Sequence, residues 1–215
     1  MMDKQQMFLP YKILKESGSG LIVEKKSRFI ATALPAASEE EAVSLVEAVK
    51  KKYWDARHNC YAFVLGKQAE LTRCSDDGEP AGTAGKPVLE TILSSGIRNT
   101  AVVVTRYFGG TLLGTGGLVR AYTQAAQAAL ADAGVVTVRY GVELQLTTDY
   151  SGVGKIQYIL GQMGVEIREA AYEDIVRLKL LVPYEQSEGL CKELTEATAG
   201  RTKIEEKEKY YFEDG

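Results

Sequence analysis

The sequence predicts an α+β protein of two domains, residues 1–136 and 137–215. A β-branched run, Thr100–Thr105, leads through a glycine-rich segment into a long alanine series at helical spacing, so the first part joins a sheet to packed helices. Around residues 135–142 the patterning changes, and strand, helix, strand, strand, helix and strand then follow to the end. Charge divides at the same place: +2 up to residue 136 and −5 beyond it, for a chain total of −3. The 215 residues are enough for two modest cores, and 45% hydrophobic against 26% charged residues is the balance of an ordinary folded protein.

Taken in order, Leu21–Leu34 alternates as one strand, with Ser27, Arg28 and Phe29 in its middle. Ser38, with Glu41 three residues on, forms a capping box that opens a helix carrying Ala42, Leu45, Val46 and Val49 on one face. That helix closes on Lys50, Lys51 and Lys52, which either complement its carboxyl end or join Arg57 and His58 in a basic surface. Tyr61–Leu65 and Glu70–Cys74 read as a hairpin across Gly66–Ala69. A polar loop, 75–86, precedes a short helix from Pro87 to Ser95. The strand Thr100–Thr105 comes next, then a helix with Leu118, Tyr122, Ala125, Ala126, Ala129, Leu130 and Ala133 on one face, stopped at Gly134. In the second domain the strands are Val142–Thr148, Val165–Tyr172, Ile175–Pro183 and Lys203–Phe212, with helices at Ser151–Met163 and Gln186–Ala199. That order is the split βαβ arrangement of ferredoxin-like domains.

The expected working surface follows the buried strand. Arg106, Tyr107 and Phe108 lead into Gly109, Gly110, Gly114, Gly116 and Gly117, and Arg120 lies in the first turns of the next helix. Glycine at this density signals close approach of backbone to something, and free amides at a helix start suit a phosphate or carboxylate. From residue 91 to residue 131 there are three arginines and no Asp or Glu. Tyr107 and Phe108 either stack on a ligand or plug the space between sheet and helix.

Asp76, Asp77 and Glu79 set three carboxylates in one loop. They read either as an acid–base or metal-binding cluster, or as turn formers that cap the helix and pair with arginines. The chain has one histidine, His58, two residues from Cys60. On a strand both face the same way, which allows a Cys–His pair, although a core cysteine is the simpler reading. Three widely spaced cysteines with no CxxC pair fit free thiols in a reducing cytoplasm, and neither a metal site nor a cofactor is expected. The glycine segment lacks the Gly-Lys-Ser/Thr of a nucleotide P-loop and the acidic residue of a dinucleotide fold. No apolar run reaches membrane-spanning length.

The segments Ser75–Pro87, Arg106–Tyr122 and Ala56–Ala62 together resemble the IMPACT family, and in particular its two-domain bacterial branch, over essentially the whole chain. The resemblance implies an N-terminal domain similar to the second domain of a ribosomal small-subunit protein, and a C-terminal domain similar to one in elongation factor G. It also implies a role in regulating translation under stress, as in eukaryotic members. The expectation is therefore a non-enzymatic binding protein that engages RNA, the ribosome or a translation-associated protein. Its groove would be lined by Arg57, His58, Arg106, Tyr107, Phe108, Arg120 and the glycines. The alternative is an enzyme for a small anionic substrate with a loop carboxylate as base.

Overall fold

Two adjacent residues with positive φ, Lys25 and Lys26, turn the chain back on itself where one continuous strand was expected. The result is a hairpin of β2 (Gly18–Glu24) and β3 (Ser27–Pro35), in which Glu24 opposes Ser27. Such a turn favours Asn-Gly, and lysine at both positions costs about 1 kcal/mol each. No Gly, Pro, Asn or Asp marks it in the sequence. Before it, β1 (Tyr11–Leu14) exchanges backbone hydrogen bonds with the segment Gly96–Arg98.

Helix α1 (Glu39–Lys52) opens as the capping box requires. Ser38 accepts from the Glu41 amide at 3.2 Å, while the Glu41 carboxylate reaches past Ser38 to the Ala37 amide at 2.7 Å. The hairpin of β4 (His58–Leu65) and β5 (Leu71–Ser75) follows, then α2 (Gly85–Ser95), β6 (Thr100–Tyr107) and α3 (Thr115–Asp132). The strands form an antiparallel sheet in the order β2-β3-β6-β4-β5. Central β6 is buried on both faces, as its unbroken β-branched run predicts. On one face Val46 and Val49 of α1 pack on Val103. On the other, Tyr122, Ala125, Ala126 and Ala129 of α3 meet Phe29, Ala31, Val102 and Val104. The alanines let α3 lie close, and Gly18 and Gly20 of β2 leave its backbone room beside Ala129. Gly134, at φ 65°, stops the helix.

The strand expected at Val142–Thr148 starts earlier, as β7 (Val135–Thr148). Helix α4 (Tyr150–Met163), β8 (Ile167–Tyr172), β9 (Val176–Pro183), α5 (Tyr184–Ala197) and β10 (Lys203–Asp214) complete the chain. Strand β7 lies between β9 and β10, and β9 pairs on its other side with β8. That is the strand order of a split βαβ domain. Its core is Val142, Leu144 and Leu146 with Ile156, Leu160, Leu178, Leu180 and Leu190.

The computed structural model describes residues 8–214, and they divide into two compact units, 11–137 and 138–214. Residues 8–10 belong with the second unit, where Phe8 stacks on Tyr140 at 4.2 Å between ring centres. No described helix is long and apolar enough to cross a membrane.

Candidate functional site

Strand register brings the residues singled out by sequence to one end of the first unit's sheet. Arg28 opposes Tyr107, Phe29 opposes Arg106, and His58 opposes Arg106 from the other side. Alternation along β6 then sends Arg106 to the α3 face and Tyr107 to the α1 face.

Arg106 is 6% exposed and does not line an open groove. Its Nη1 donates to Glu79 Oε1 at 2.6 Å, and its guanidinium lies between the rings of Phe29 and Phe108 at 5.4 and 5.6 Å. The same Glu79 oxygen accepts from the Tyr122 hydroxyl at 2.9 Å. Cys60 Sγ lies 3.3 Å from that hydroxyl and donates to the Asp76 carbonyl at 3.0 Å. A buried chain of polar groups thus fastens the acidic loop to β4, β6 and α3. Nitrogen Nε of Arg106 has no protein partner. Burial, with the Glu79 charge adding to it, pushes the Cys60 thiol up to about 12, so it is no nucleophile at neutral pH.

The other two carboxylates of the loop are engaged as well. Asp76 accepts from the amides of Gly82, Ala84 and Gly85 at 2.8–3.0 Å, and so caps α2. Burial acts to raise its pKa, but the three amide donors outweigh it and hold the carboxyl below its usual range. Asp77, at φ 43°, accepts from the Asn59 amide at 2.7 Å, and its carbonyl meets His58 Nδ1 at 2.9 Å. Of the two readings of the acidic loop, the geometry matches the bracing one. Among the described residues no His, Cys, Asp or Glu cluster could hold a metal.

The glycine segment behaves differently. Gly109 packs so tightly on the Lys26–Ser27 backbone that a Cβ has no space, and its amide donates to Ser27 Oγ at 3.0 Å. Gly110 and Gly114 have positive φ with open space beside them. Gly116 and Gly117 form the first turn of α3, whose N-cap, Gly114, offers no side chain. A Cβ at Gly116 would meet only Arg120 Nη1, 3.7 Å away. Arg57 and Arg120 are exposed and have no ion-pair partner among the described residues. Phe108 is 51% exposed. The structure therefore brings Arg120, Phe108 and the open glycines to one edge, while Arg106 and His58 brace from below.

On the α1 face of the same sheet end, Tyr107 donates from its hydroxyl to Asp55 at 2.7 Å, and Arg28 lies over its ring at 4.9 Å. Next to Asp55 is Trp54, 83% exposed. Trp54 falls in no periodic pattern, and Lys25 and Lys26 lie inside the stretch whose alternation predicts a single strand. The available signal was a lone tryptophan two residues past a run of three lysines.

Residues 25–130 match the Impact N-terminal domain, and residues 146–201 match the domain of unknown function DUF1949. The chain is 37% identical to the IMPACT family member YvyE of Bacillus subtilis over 207 residues, 96% of this chain and 95% of the relative. The chain belongs to the IMPACT family. It is also 40% identical to the family member YigZ of Escherichia coli over 74% of this chain and 79% of that one. Mouse Protein IMPACT is 39% identical over 43% of this chain, which spans only 30% of the mouse protein. A crystal structure described as that of an hypothetical protein superposes at a TM-score of 0.58, with 34% identity, over 93% of this chain and 98% of that one.

Proposed function

We propose that the chain is a non-enzymatic RNA-binding protein of the translation apparatus, with its contact surface at the glycine-rich end of the first unit. The carrying observation is the contrast in charge use at that end. All three loop carboxylates are held by intramolecular donors, whereas Arg57, Arg120 and the first-turn amides of α3 face solvent without an acidic partner among the described residues. An acid–base enzyme needs a carboxylate free to move a proton, whereas Asp76 is held by three amides, Glu79 by a buried arginine and a tyrosine, and Asp77 by the Asn59 amide. A phosphate backbone needs donors and cations without competing acids, which is what Arg57, Arg120 and Gly116 present. The translational setting rests on the family resemblance.

The test is fluorescence anisotropy with a labelled RNA oligonucleotide. Affinity should fall steeply between about 50 and 200 mM salt, and Arg57→Ala and Arg120→Ala should each lower the salt slope by about one. Binding that ignores salt, or turnover of a small anionic metabolite abolished by Asp77→Asn, overturns the reading.

A further inference from the structure

The chain's one tryptophan is on the α1 face of the same sheet end, where of the glycine segment Gly109 alone is in contact, against the Lys26–Ser27 backbone. Trp54 stands in the Tyr53–Ala56 turn directly after α1, 83% exposed. A large apolar ring this open, among the most exposed of the described large apolar side chains, suits contact with an occupant. Around it the charge is one-sided. Residues 24–28 and 50–57 together carry seven lysines and arginines against two acids, Glu24 and Asp55, within a chain of net charge −3. Lys25, Lys26, Lys51 and Arg57 are exposed and have no ion-pair partner among the described residues.

The hairpin turn adds a separate observation. Lys25 and Lys26 both occupy the left-handed region, at φ 45° and 66°, where Asn-Gly would be at ease. Lysine is the wrong residue for the turn and the right one for a polyanion. Tyr107 has its ring covered by Arg28, two residues past Lys26, and its hydroxyl fixed by Asp55, next to Trp54. A flat, positioned aromatic flanked by an arginine is a stacking platform.

We infer that this face binds single-stranded RNA, with Trp54 stacking on an unpaired base while Lys25, Lys26 and Arg57 contact the flanking phosphates. The inference rests on the RNA-binding reading above and names which form of RNA is taken and by which face. A duplex hides its base faces and offers the ring nothing to stack on. A bilayer would need Trp54 to enter an apolar phase together with its neighbour Asp55, whose charge opposes entry.

Because the chain has one tryptophan, its emission reports the contact directly. A short unlabelled oligouridylate should quench Trp54 emission, and an RNA hairpin lacking unpaired bases should not. Trp54→Ala should weaken oligouridylate binding about tenfold with an unchanged far-ultraviolet spectrum. The pair Lys25→Asn and Lys26→Gly should stabilise the hairpin yet lower the salt slope by about two, opposite signs that a merely structural role would not give. Oligouridylate binding that Arg120→Ala weakens, but that leaves Trp54 emission and the Trp54→Ala affinity unchanged, overturns the inference and keeps the broader reading. Quenching by anionic phospholipid vesicles with none by oligouridylate overturns it in favour of a membrane surface. Failure of any oligonucleotide to bind at low salt overturns both.

Discussion

Loops 75–86 and 108–117 are both glycine-rich and adjacent at one sheet end, yet they use their donors and acceptors in opposite ways. The first turns inward. Asp76 caps α2, Asp77 holds the β4 backbone, and Glu79 neutralises a buried arginine and accepts from a buried tyrosine. The second packs Gly109 against the Lys26–Ser27 backbone and Gly117 against Leu113, and leaves Gly110 and Gly114 beside open space and Gly116 with only Arg120 near it. Composition alone does not separate a brace from a contact surface. What separates them is whether each polar group has a partner within the molecule.

Glu79→Gln should break this contrast most severely. It leaves the Arg106 guanidinium buried without its counter-charge and should cost the first unit about 3–5 kcal/mol, read from the shift in its denaturant midpoint. A loss below about 1 kcal/mol would mean that the pair does not brace the loop. Gly109→Ala comes next, since its Cβ would collide with the Lys26 backbone rather than a flexible side chain. The expected loss is about 2–3 kcal/mol by the same measurement.

Asp76→Asn should cost about 1–2 kcal/mol at pH 7. Because the folded carboxyl titrates below its usual range, its contribution is present at neutral pH and lost as pH falls below about 4. Wild type and variant should therefore converge in acid, and a difference that persists at pH 2 argues for lost packing in place of the amide contacts. Gly116→Ala is the mildest change and the sharpest for the outward loop. Open space at that position predicts a gain of about 0.5–1 kcal/mol in helix stability. A methyl beside Arg120 and the free amides should at the same time weaken oligonucleotide binding. A variant that gains stability with unaltered affinity removes the first turn of α3 from the contact surface.

The order of elements was legible because each long one announces itself locally. Ser38 and Glu41 mark the start of α1, the β-branched run marks β6, and Gly134 marks the end of α3. The β2–β3 hairpin was not legible, since lysines occupy a turn that normally carries small or polar residues. At the site, the sequence placed Arg106, Arg120 and the acidic loop together without telling partner from neighbour. Glu79 is 27 residues from Arg106, and only the register of β6 against β3 and β4 decides that Arg106 points inward. Trp54 carries no periodicity, so its exposure follows solely from where α1 ends.

Phe8, stacked on Tyr140 beside Tyr184, gives the second unit a ring from the opposite end of the polypeptide. During synthesis that ring leaves the ribosome long before its partners exist, and everything from 11 to 137 must emerge in between. Prior folding of that insert draws the two ends of a long span nearer, so the late closure meets a smaller entropic barrier than an unstructured span would impose. A chain starting at Tyr11 would thus uncover the side of the Tyr140 ring that Phe8 covers, which makes the choice of starting residue a matter of solubility for the second unit.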